Sequence, residues 1–219
     1  MPEVRWEWIA DHAEEIQTRS LEHLILVSAS TAIGVAIAIP IGIAVRGRRI
    51  PFAAATGITG LLYTIPSLAM FAFLLPIFGI GVTPAVVGLV LYSLLLLVRN
   101  TAVGLESVPE AVREASRGMG LTPRQVLLRV DLPLALPAIM AGIRLATVSA
   151  VGIATVAVLI GGGGLGVLIY SDGIQRALFF TPIVTGAVCA TVMAIVLDLL
   201  LVGVERLLTP WARARAAVR

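Results

Sequence analysis

Lysine is absent from this 219-residue chain, and cysteine, aromatic and charged residues are scarce. The single cysteine, Cys189, lies in an apolar run, which excludes a disulfide framework and a thiol metal cluster. Charged residues make up 13% of the chain, about half the share of an ordinary soluble domain, whereas 58% are hydrophobic. Together with a mean hydropathy of +1.01, these values predict an integral membrane protein.

The basic balance of the chain does not indicate nucleic acid. The formal net charge is +3, but no basic stripe alternates with aromatic residues, and cationic loops are usual on the cytoplasmic side of membrane proteins. His12 and His23 lack partners at metal-ligand spacing and are interpreted as interfacial polar residues. We therefore expect no nucleic-acid partner and no metal site.

Five apolar runs are long enough, or nearly so, to cross a bilayer as helices. About 20 residues at 1.5 Å each cross the hydrocarbon core, and backbone groups in lipid must find partners within the segment. The predicted spans are Leu24–Val45, Pro51–Phe78, Pro84–Val98, Pro137–Ile160 and Ile183–Val204. The chain is therefore predicted to be all-α, with a transmembrane domain over residues 24–205.

Arginine placement predicts the orientation of these spans. One side of the membrane holds only Arg5, Arg19 and Arg176. The other side holds Arg46, Arg48, Arg49, Arg99, Arg113, Arg117, Arg124, Arg129, Arg206, Arg213, Arg215 and Arg219. Because basic residues accumulate on the cytoplasmic side, the acidic segment 1–23 is expected outside, where it is not a cleaved signal. The tail 206–219 and a polar insert over about residues 100–136 are expected in the cytoplasm.

Proline and glycine interrupt the spans in a way that favours a transporter over a simple anchor. Pro40, Pro66 and Pro76 are expected to break or bend helices, although proline is also common in membrane helices generally. Glycine has a low helix propensity, so four in a row are expected to end the helix. A hinge or close-packing turn is therefore predicted at Gly161, Gly162, Gly163 and Gly164. A short outer helix is expected after it, over residues 167–179; a merely flexible external loop is the alternative.

Two charged residues lie inside predicted spans at matched depth. Arg144 is about two turns from the cytoplasmic start of the fourth span, and Asp198 about two turns from the cytoplasmic end of the fifth. A charge within the membrane is costly and should find a partner. The pattern therefore predicts an Arg144–Asp198 pair; the alternative is that Arg144 snorkels to the interface and Asp198 caps part of the polar insert.

The polar insert shows the signals of two short helices. Ser107 and Glu110 are predicted to form a capping box with Pro109 in the first turn, and Gly118 and Gly120 to end the first helix. The second helix is predicted to begin at Thr122 and Pro123 and to stop at Pro133 and Pro137. The first helix carries small residues, Ala111, Ala115 and Ser116, which let a partner surface approach closely.

The spacing in this insert resembles the EAA motif of permease subunits of binding-protein-dependent ABC importers. Glu114, Ala115 and Ser116 are followed after three residues by Gly120, and after nine more by Val130 and then Leu132 and Pro133. Only Ser116 in place of alanine and Val130 in place of isoleucine depart from the motif. The resemblance implies that the first insert helix is the coupling helix, which contacts the ATP-hydrolysing subunit through Glu110, Ala111, Glu114, Ala115, Ser116, Gly118, Met119 and Gly120.

Longer segments are similar to the permeases of osmoprotectant importers, which carry glycine betaine, choline and carnitine. These segments include TIPSLAMFAFLLPIFGIG and LVRNTAVGLESVPEAVREASRGMGLTPRQ. The resemblance implies the five-span type I ABC importer permease fold, a second permease subunit that is identical or paralogous, and a separate extracytoplasmic substrate-binding protein. It also implies that the chain is a non-catalytic subunit embedded in the lipid of a bacterial-type inner membrane. The chain is expected to have no cofactor of its own, because ATP and Mg²⁺ are bound by the partner ATPase.

Few aromatic residues are available to hold a quaternary ammonium group. Tyr63, Pro66, Phe71 and Tyr92 are the candidates for a substrate path, with ordinary packing as the alternative for each aromatic ring. Two other functions stay open: a permease for another small solute such as methionine, and an ATP-independent channel or ion-coupled transporter. The latter predicts intramembrane carboxylates along a path, and only Asp198 qualifies.

Overall fold

The structure is a computed structural model that describes residues 3–211, and every regular element in that range is helical. The α-helices are α1 (Trp6–Asp11), α2 (Ala13–Val45), α3 (Arg49–Thr64), α4 (Ser67–Phe78), α5 (Val82–Glu106), α6 (Glu110–Gly118), α7 (Pro123–Val126), α8 (Leu132–Ala154) and α9 (Phe180–Leu208). Two π-helical segments (Leu127–Asp131 and Val167–Ile174) and a 3₁₀ segment (Val156–Ile160) complete them. The predicted all-α class is confirmed. Arg213, Arg215 and Arg219 of the predicted cytoplasmic tail lie outside the described residues.

Four helical runs are long and apolar enough to cross a membrane: α2, α5, the run Pro123–Ala154 and α9. A fifth span results when α3 and α4 are counted as one broken span, bent by 98° between Thr64 and Ser67. The bend falls at Pro66, which has no N–H and disfavours helix at the residue before it. Pro40 and Pro76 instead lie within uninterrupted helices.

Two predicted boundaries around the polar insert were wrong. The third span does not end at Val98 but continues to Glu106. Pro133 and Pro137 do not stop the second insert helix, because α7, the π segment and α8 run on as one helix from Pro123 to Ala154. A proline ring clashes with the carbonyl four residues earlier in an α-helix, and the π segment before Pro133 relaxes that constraint since its bonds reach five residues.

Helix α5 is the centre of the bundle. It packs most extensively against α2 on one side and α8 on another, and half of the residues in its most apolar stretch are buried, against 6% in α9. Small residues permit the close approach that lipid-embedded helices need. A Cβ atom on Gly42 of α2 would lie 2.6 Å from the Cβ of Thr101, and one on Gly142 of α8 would lie 2.6 Å from the Cβ of Asn100.

The four consecutive glycines form a tight turn after the 3₁₀ segment. Gly161, Gly163 and Gly164 have φ angles of +81°, +70° and +73°, in the left-handed region that favours glycine. The chain then enters the π-helical segment Val167–Ile174, which is shorter than the outer helix predicted over residues 167–179. Residues 161–164 thus close the end of the bundle opposite to the polar insert.

The glycine contact between α5 and α8 yields a test with a matched control on one helix. Gly142→Ala should destabilise the fold by about 1–3 kcal/mol, the usual cost of overpacking, since its new methyl group meets Asn100 and the Leu96 carbonyl. Gly152→Ala should leave the unfolding temperature unchanged or raise it, because nothing lies within 4 Å of that position. Thermal unfolding of the two purified variants in mild detergent measures the difference; equal unfolding temperatures would contradict the packing role of Gly142.

Candidate functional site

The first insert helix, α6, forms over Glu110–Gly118, but its cap differs from the prediction. Pro109 occupies the N-cap position, and no side chain caps the helix. Ser107 ends α5 instead, and its hydroxyl donates to the carbonyl of Gly104 at 2.8 Å. The capping box predicted at Ser107 was therefore wrong, because α5 extends farther than the apolar run and uses this serine at its own C-terminus.

The turn between the two insert helices depends on Gly120. Its φ of +83° lies in the left-handed region, and the Leu121 N–H donates to the Ser116 carbonyl at 3.2 Å to close the end of α6. Thr122 then caps α7: its side chain accepts from the Gln125 N–H, and the Gln125 side chain accepts from the Thr122 N–H at 2.8 Å. The predicted start of the second helix is confirmed.

Helix α6 presents an exposed face of small residues. Ala111, Glu114, Ala115 and Gly118 are exposed, and a Cβ atom on Gly118 would meet nothing within 4 Å. Met119, at the end of the helix, is 74% exposed. Within residues 3–211, the Glu114 carboxylate makes no hydrogen bond or ion pair, so it is available to a partner.

The opposite side of α6 faces the bundle. Ser116 is buried, and its hydroxyl donates to the Val112 carbonyl at 2.7 Å. The serine that replaces the second alanine of the motif therefore fits at a buried position without an unsatisfied hydroxyl. The eight predicted coupling residues thus divide between this buried contact and the exposed face and turn.

A buried carboxylate, Asp131, joins α6 to the spans. It is 2% exposed and lies in the π segment before α8. Arg113 of α6 donates from Nε to its Oδ1 at 2.9 Å, and Nη1 of Arg46, directly after α2, lies 3.1 Å from its Oδ2. One side chain therefore ties the polar insert to the end of α2 and the beginning of α8.

The charges around this junction stabilise one another. A hydrogen bond from Arg113 lowers the pKa of the Glu110 carboxyl, and the nearby Arg117 lowers it further. Burial alone would lower the pKa of Arg113, but its hydrogen bonds to Asp131 and Glu110 outweigh that effect and raise it. Both groups are therefore held in their charged forms, as the ion pairs require.

A cleft of about 360 Å³ lies beside Asp131, between α6 and the ends of α2 and α5. Glu106 lies at its edge and accepts a hydrogen bond from the Gly47 N–H at 2.9 Å. Three basic and three acidic side chains line the cleft: Arg46, Arg113, Arg117, Glu106, Glu110 and Asp131. The cleft is therefore balanced in charge.

Sequence reasoning missed Asp131 because it counted the residue within the polar insert, where a carboxylate needs no partner. The signal was available, since Asp131 is flanked by the apolar residues Val130 and Leu132. A charge among apolar residues needs a partner. That rule singled out Arg144 and Asp198, and it would also have identified Asp131.

The structure brings Arg144 and Asp198 together. Nε of Arg144 donates to Oδ1 of Asp198 at 2.8 Å and Nη2 donates to Oδ2 at 3.0 Å, a two-point contact between α8 and α9. Glu205, not anticipated from the sequence, lies 3.6 Å from Arg144 Nη1. Since so little of α9 is buried, this charged cluster is a principal polar tie between α9 and the rest of the bundle.

Three of the four substrate-path candidates meet at the bend between α3 and α4. Tyr63 and Tyr92 contact edge to face with ring centroids 5.9 Å apart, and the Tyr92 hydroxyl donates to the carbonyl of Ile65, beside Pro66. Phe71 lies apart from them, fully buried, and a Cβ atom on Gly88 would lie 2.6 Å from its ring. The position of Phe71 therefore favours ordinary packing in the bundle over a place in the substrate path.

His23 is not an interfacial residue, contrary to the prediction. It is fully buried in α2, its Nδ1 accepts from the Leu165 N–H at 3.3 Å, and its Nε2 donates to the Val151 carbonyl at 3.0 Å. The neighbouring Glu22 accepts from the Gly164 N–H at 3.0 Å. These two side chains hold the glycine turn against α2, and a Cβ atom on Gly164 would lie 2.8 Å from the histidine ring.

Comparison with known proteins identifies relatives over nearly the whole chain. A family model described as binding-protein-dependent transport system inner membrane component matches residues 32–214. The choline transport system permease protein OpuBB of Bacillus subtilis is 38% identical over 93% of both chains. The osmoprotectant import permease protein OsmW of Salmonella typhimurium is 39% identical over 93% of this chain and 96% of its own. The glycine betaine/carnitine/choline permease protein OpuCB of Bacillus subtilis is 38% identical over 90% of this chain and 89% of its own.

Solved structures share the fold. A chain of the MetNI methionine ABC transporter in an inward-facing conformation is 25% identical, with a TM-score of 0.78 over 89% of this chain and 96% of that one. A chain of an amino acid ABC transporter gives a TM-score of 0.75 at 19% identity, over 93% of this chain and 99% of that one. The second similarity concerns the fold alone.

The buried junction yields a stability prediction. Asp131→Asn should destabilise the protein by about 3 kcal/mol, the lower end of the cost of breaking a buried ion pair, because Arg46 and Arg113 retain some access to water. Glu110→Gln is the matched control: it removes a carboxylate from the same arginine, but an exposed one, and should barely change the unfolding temperature. If both variants unfold at the wild-type temperature, Asp131 does not hold the junction.

The charged cluster between α8 and α9 yields a second prediction. Arg144→Gln should lower the unfolding temperature more than Asp198→Asn, since it leaves two carboxylates without their cation, whereas Arg144 keeps Glu205 when Asp198 is neutral. The double variant should lose less than the sum of the two single losses, as expected for side chains in direct contact. Additive losses in a double-mutant cycle of thermal unfolding would show that the pair contributes no interaction energy.

Proposed function

This chain belongs to the family of binding-protein-dependent transport system inner membrane components, and on that premise we propose how it works as the permease subunit of an ABC importer for osmoprotectants. Its helices have the fold of type I ABC importer permeases, and it is a multi-pass membrane protein. Members of this family are transport subunits and not catalysts. The solutes expected for this chain are those its relatives are named for: choline, glycine betaine and carnitine.

One observation carries the coupling role: an exposed face of small residues on α6 is tied to the spans through a buried carboxylate. Ala111, Ala115 and Gly118 leave room for another protein surface. Arg113, on the same short helix, binds Asp131, which also contacts Arg46. A force applied to α6 therefore reaches the ends of α2 and α8 through ion pairs, not through a flexible loop.

The partners and orientation follow from the charge distribution and from the family. We place the arginine-rich end, with α6, in the cytoplasm against the ATPase, which binds ATP and Mg²⁺. The opposite end, with the glycine turn and α1, faces the substrate-binding protein outside. A second permease subunit, identical or paralogous, completes the pathway between the two chains.

In this mechanism, closure of the two ATPases moves the α6 helices together and exposes the pathway to the outside, and hydrolysis reverses the change. Asp131 transmits that motion because it contacts three segments at once. Tyr63 and Tyr92 at the α3–α4 bend are the proposed aromatic contacts for a quaternary ammonium group. Weak contacts suit a pathway that must release its solute.

The other two functions have less support. A methionine permease shares the fold, but the relatives named for osmoprotectants are more similar, at 38–39% identity. An ion-coupled transporter would need free carboxylates along a path through the membrane, and Asp198 is occupied by Arg144. Osmoprotectant uptake driven by ATP is therefore the function that we propose.

A substitution on the exposed face of α6 tests the coupling role. Ala115→Glu should reduce ATP-driven uptake of glycine betaine by at least about ten-fold, since a bulky charge in a close interface prevents the ATPase from docking. Ala115→Ser is the control: it replaces alanine by another small, uncharged residue and should retain uptake. Ala115 is a better position than Gly120, where any side chain would also strain the left-handed backbone.

The readouts are uptake in proteoliposomes or cells and the amount of ATPase that copurifies with the tagged permease. We expect the Ala115→Glu permease to reach the membrane in normal amount, but to lose both its uptake activity and the copurifying ATPase. Normal uptake by this variant would refute the role of α6. Wild-type uptake that survives ATP depletion, with no ATPase retained in mild detergent, would refute the importer itself.

A further inference from the structure

Arg99 is exposed on the most buried helix of the bundle. It lies on α5, seven residues before the helix ends at Glu106, or about 10 Å from that end. Within residues 3–211 its guanidinium makes no hydrogen bond or ion pair. Arg144, by contrast, is paired with Asp198 and Glu205.

An unpaired guanidinium on an apolar helix is not suited to lipid. Arginine at the centre of a membrane helix costs about 2.5–3.5 kcal/mol on insertion scales, and charged residues on such helices face water or a polar partner. The exposed face of α9 offers the contrast: Val188, Val192 and Leu199 are among its exposed residues, and it carries no charge from Phe180 to Leu197. The face of α5 that carries Arg99 therefore faces water or another protein chain, whereas the exposed face of α9 suits lipid.

The position of Arg99 on α5 supports this assignment. At 100° per residue, Tyr92, Arg99, Val103 and Glu106 fall within about 60° of one another, and the last three are exposed. The other faces of α5 are occupied, since α2, α3 and α8 all pack against this helix. Tyr92, at the upper end of the stripe, is covered by Tyr63 and the α3–α4 bend.

The stripe therefore presents two kinds of chemistry in order along the helix. The exposed ring of Tyr63 on α3, which lies over the buried Tyr92, comes first, and the guanidinium of Arg99 follows two turns after Tyr92, about 10 Å along α5. Aromatic faces attract quaternary ammonium groups, and guanidinium forms two-point contacts with carboxylates. A solute with both groups meets a complementary partner at each position.

We propose that Arg99 lines the translocation pathway and binds the carboxylate of zwitterionic solutes as they pass. This inference rests on the proposed function and sharpens it. Glycine betaine and carnitine have a carboxylate as well as a quaternary ammonium group, whereas choline has only the cation. Arg99 thus favours zwitterionic solutes over choline at the permease itself, in addition to any selection by the binding protein.

The test compares solutes within one assembled transporter. Arg99→Gln is reconstituted with its ATPase and a saturating, solute-loaded binding protein, and maximal uptake of glycine betaine, carnitine and choline is measured as a ratio to wild type. We expect uptake of the two zwitterions to fall by roughly ten-fold, the lower end of the effect of a hydrogen bond to a charged group. Choline uptake should be unchanged or higher, because a fixed positive charge has been removed from its path.

Two further variants make the result interpretable. Arg99→Lys keeps the charge but not the planar guanidinium. Its uptake of the two zwitterions should therefore lie between that of wild type and that of Arg99→Gln. Arg49→Gln removes an exposed arginine from the same end of the bundle, at the start of α3, and should leave all three ratios near one.

Three outcomes would overturn the inference. Unchanged ratios in Arg99→Gln would show that Arg99 merely snorkels to the interface. Equal losses for all three solutes would assign it a structural role, and loss of the permease dimer on size-exclusion chromatography would assign it to the subunit contact. None of these affects the proposed function, which fails only if the wild-type complex transports none of the three solutes in an ATP-dependent way.

Discussion

The structure depends on one buried carboxylate, Asp131, at the junction between the polar insert and the spans. It satisfies Arg113 on α6 and lies against Arg46 after α2, while its own backbone leads into α8. Without it, α6 would be a surface helix on a loop, and two arginines would lie at the junction without their shared counter-ion. With it, the exposed helix α6 is tied by ion pairs to the end of α2 and the beginning of α8.

The membrane imposes the second constraint. Because lipid provides no hydrophobic drive for helix association, the bundle relies on close backbone approach at glycine and on a few polar ties. Gly42 and Gly142 allow α2 and α8 to lie against α5, and Arg144–Asp198 attaches α9 to α8. The same constraint distinguishes faces: a helix surface without charge can face lipid, whereas one with an unpaired arginine needs water or protein.

Most of the architecture was predictable from local signals. Apolar run length located the spans, Pro66 marked the bend, and Gly118, Gly120, Thr122 and Pro123 marked the turn between the two insert helices. The errors came where a local signal had two interpretations. Ser107 can start one helix or end the previous one, Pro133 can stop a helix or follow a π segment within it, and His23 can be interfacial or buried. The helix geometry around Ser107 and Pro133 decided the first two, and packing against Val151 and Leu165, far along the chain, decided the third.

The sequence by itself therefore determined the fold class and the family and located the insert helix α6, because each depends on composition or on spacing within about twenty residues. The tertiary structure decided which charges meet: it chose between the two interpretations of Arg144 and Asp198 and revealed contacts of Glu22 and Asp131 that no sequence pattern had indicated. Glu22 and Gly164 are 142 positions apart, Arg144 and Asp198 are 54 apart, and Arg113 and Asp131 are 18 apart. Such pairs form because packing of α5 against α2 and α8 sets the depth and rotation of each helix, and a linear pattern does not encode the rotation of one helix against another.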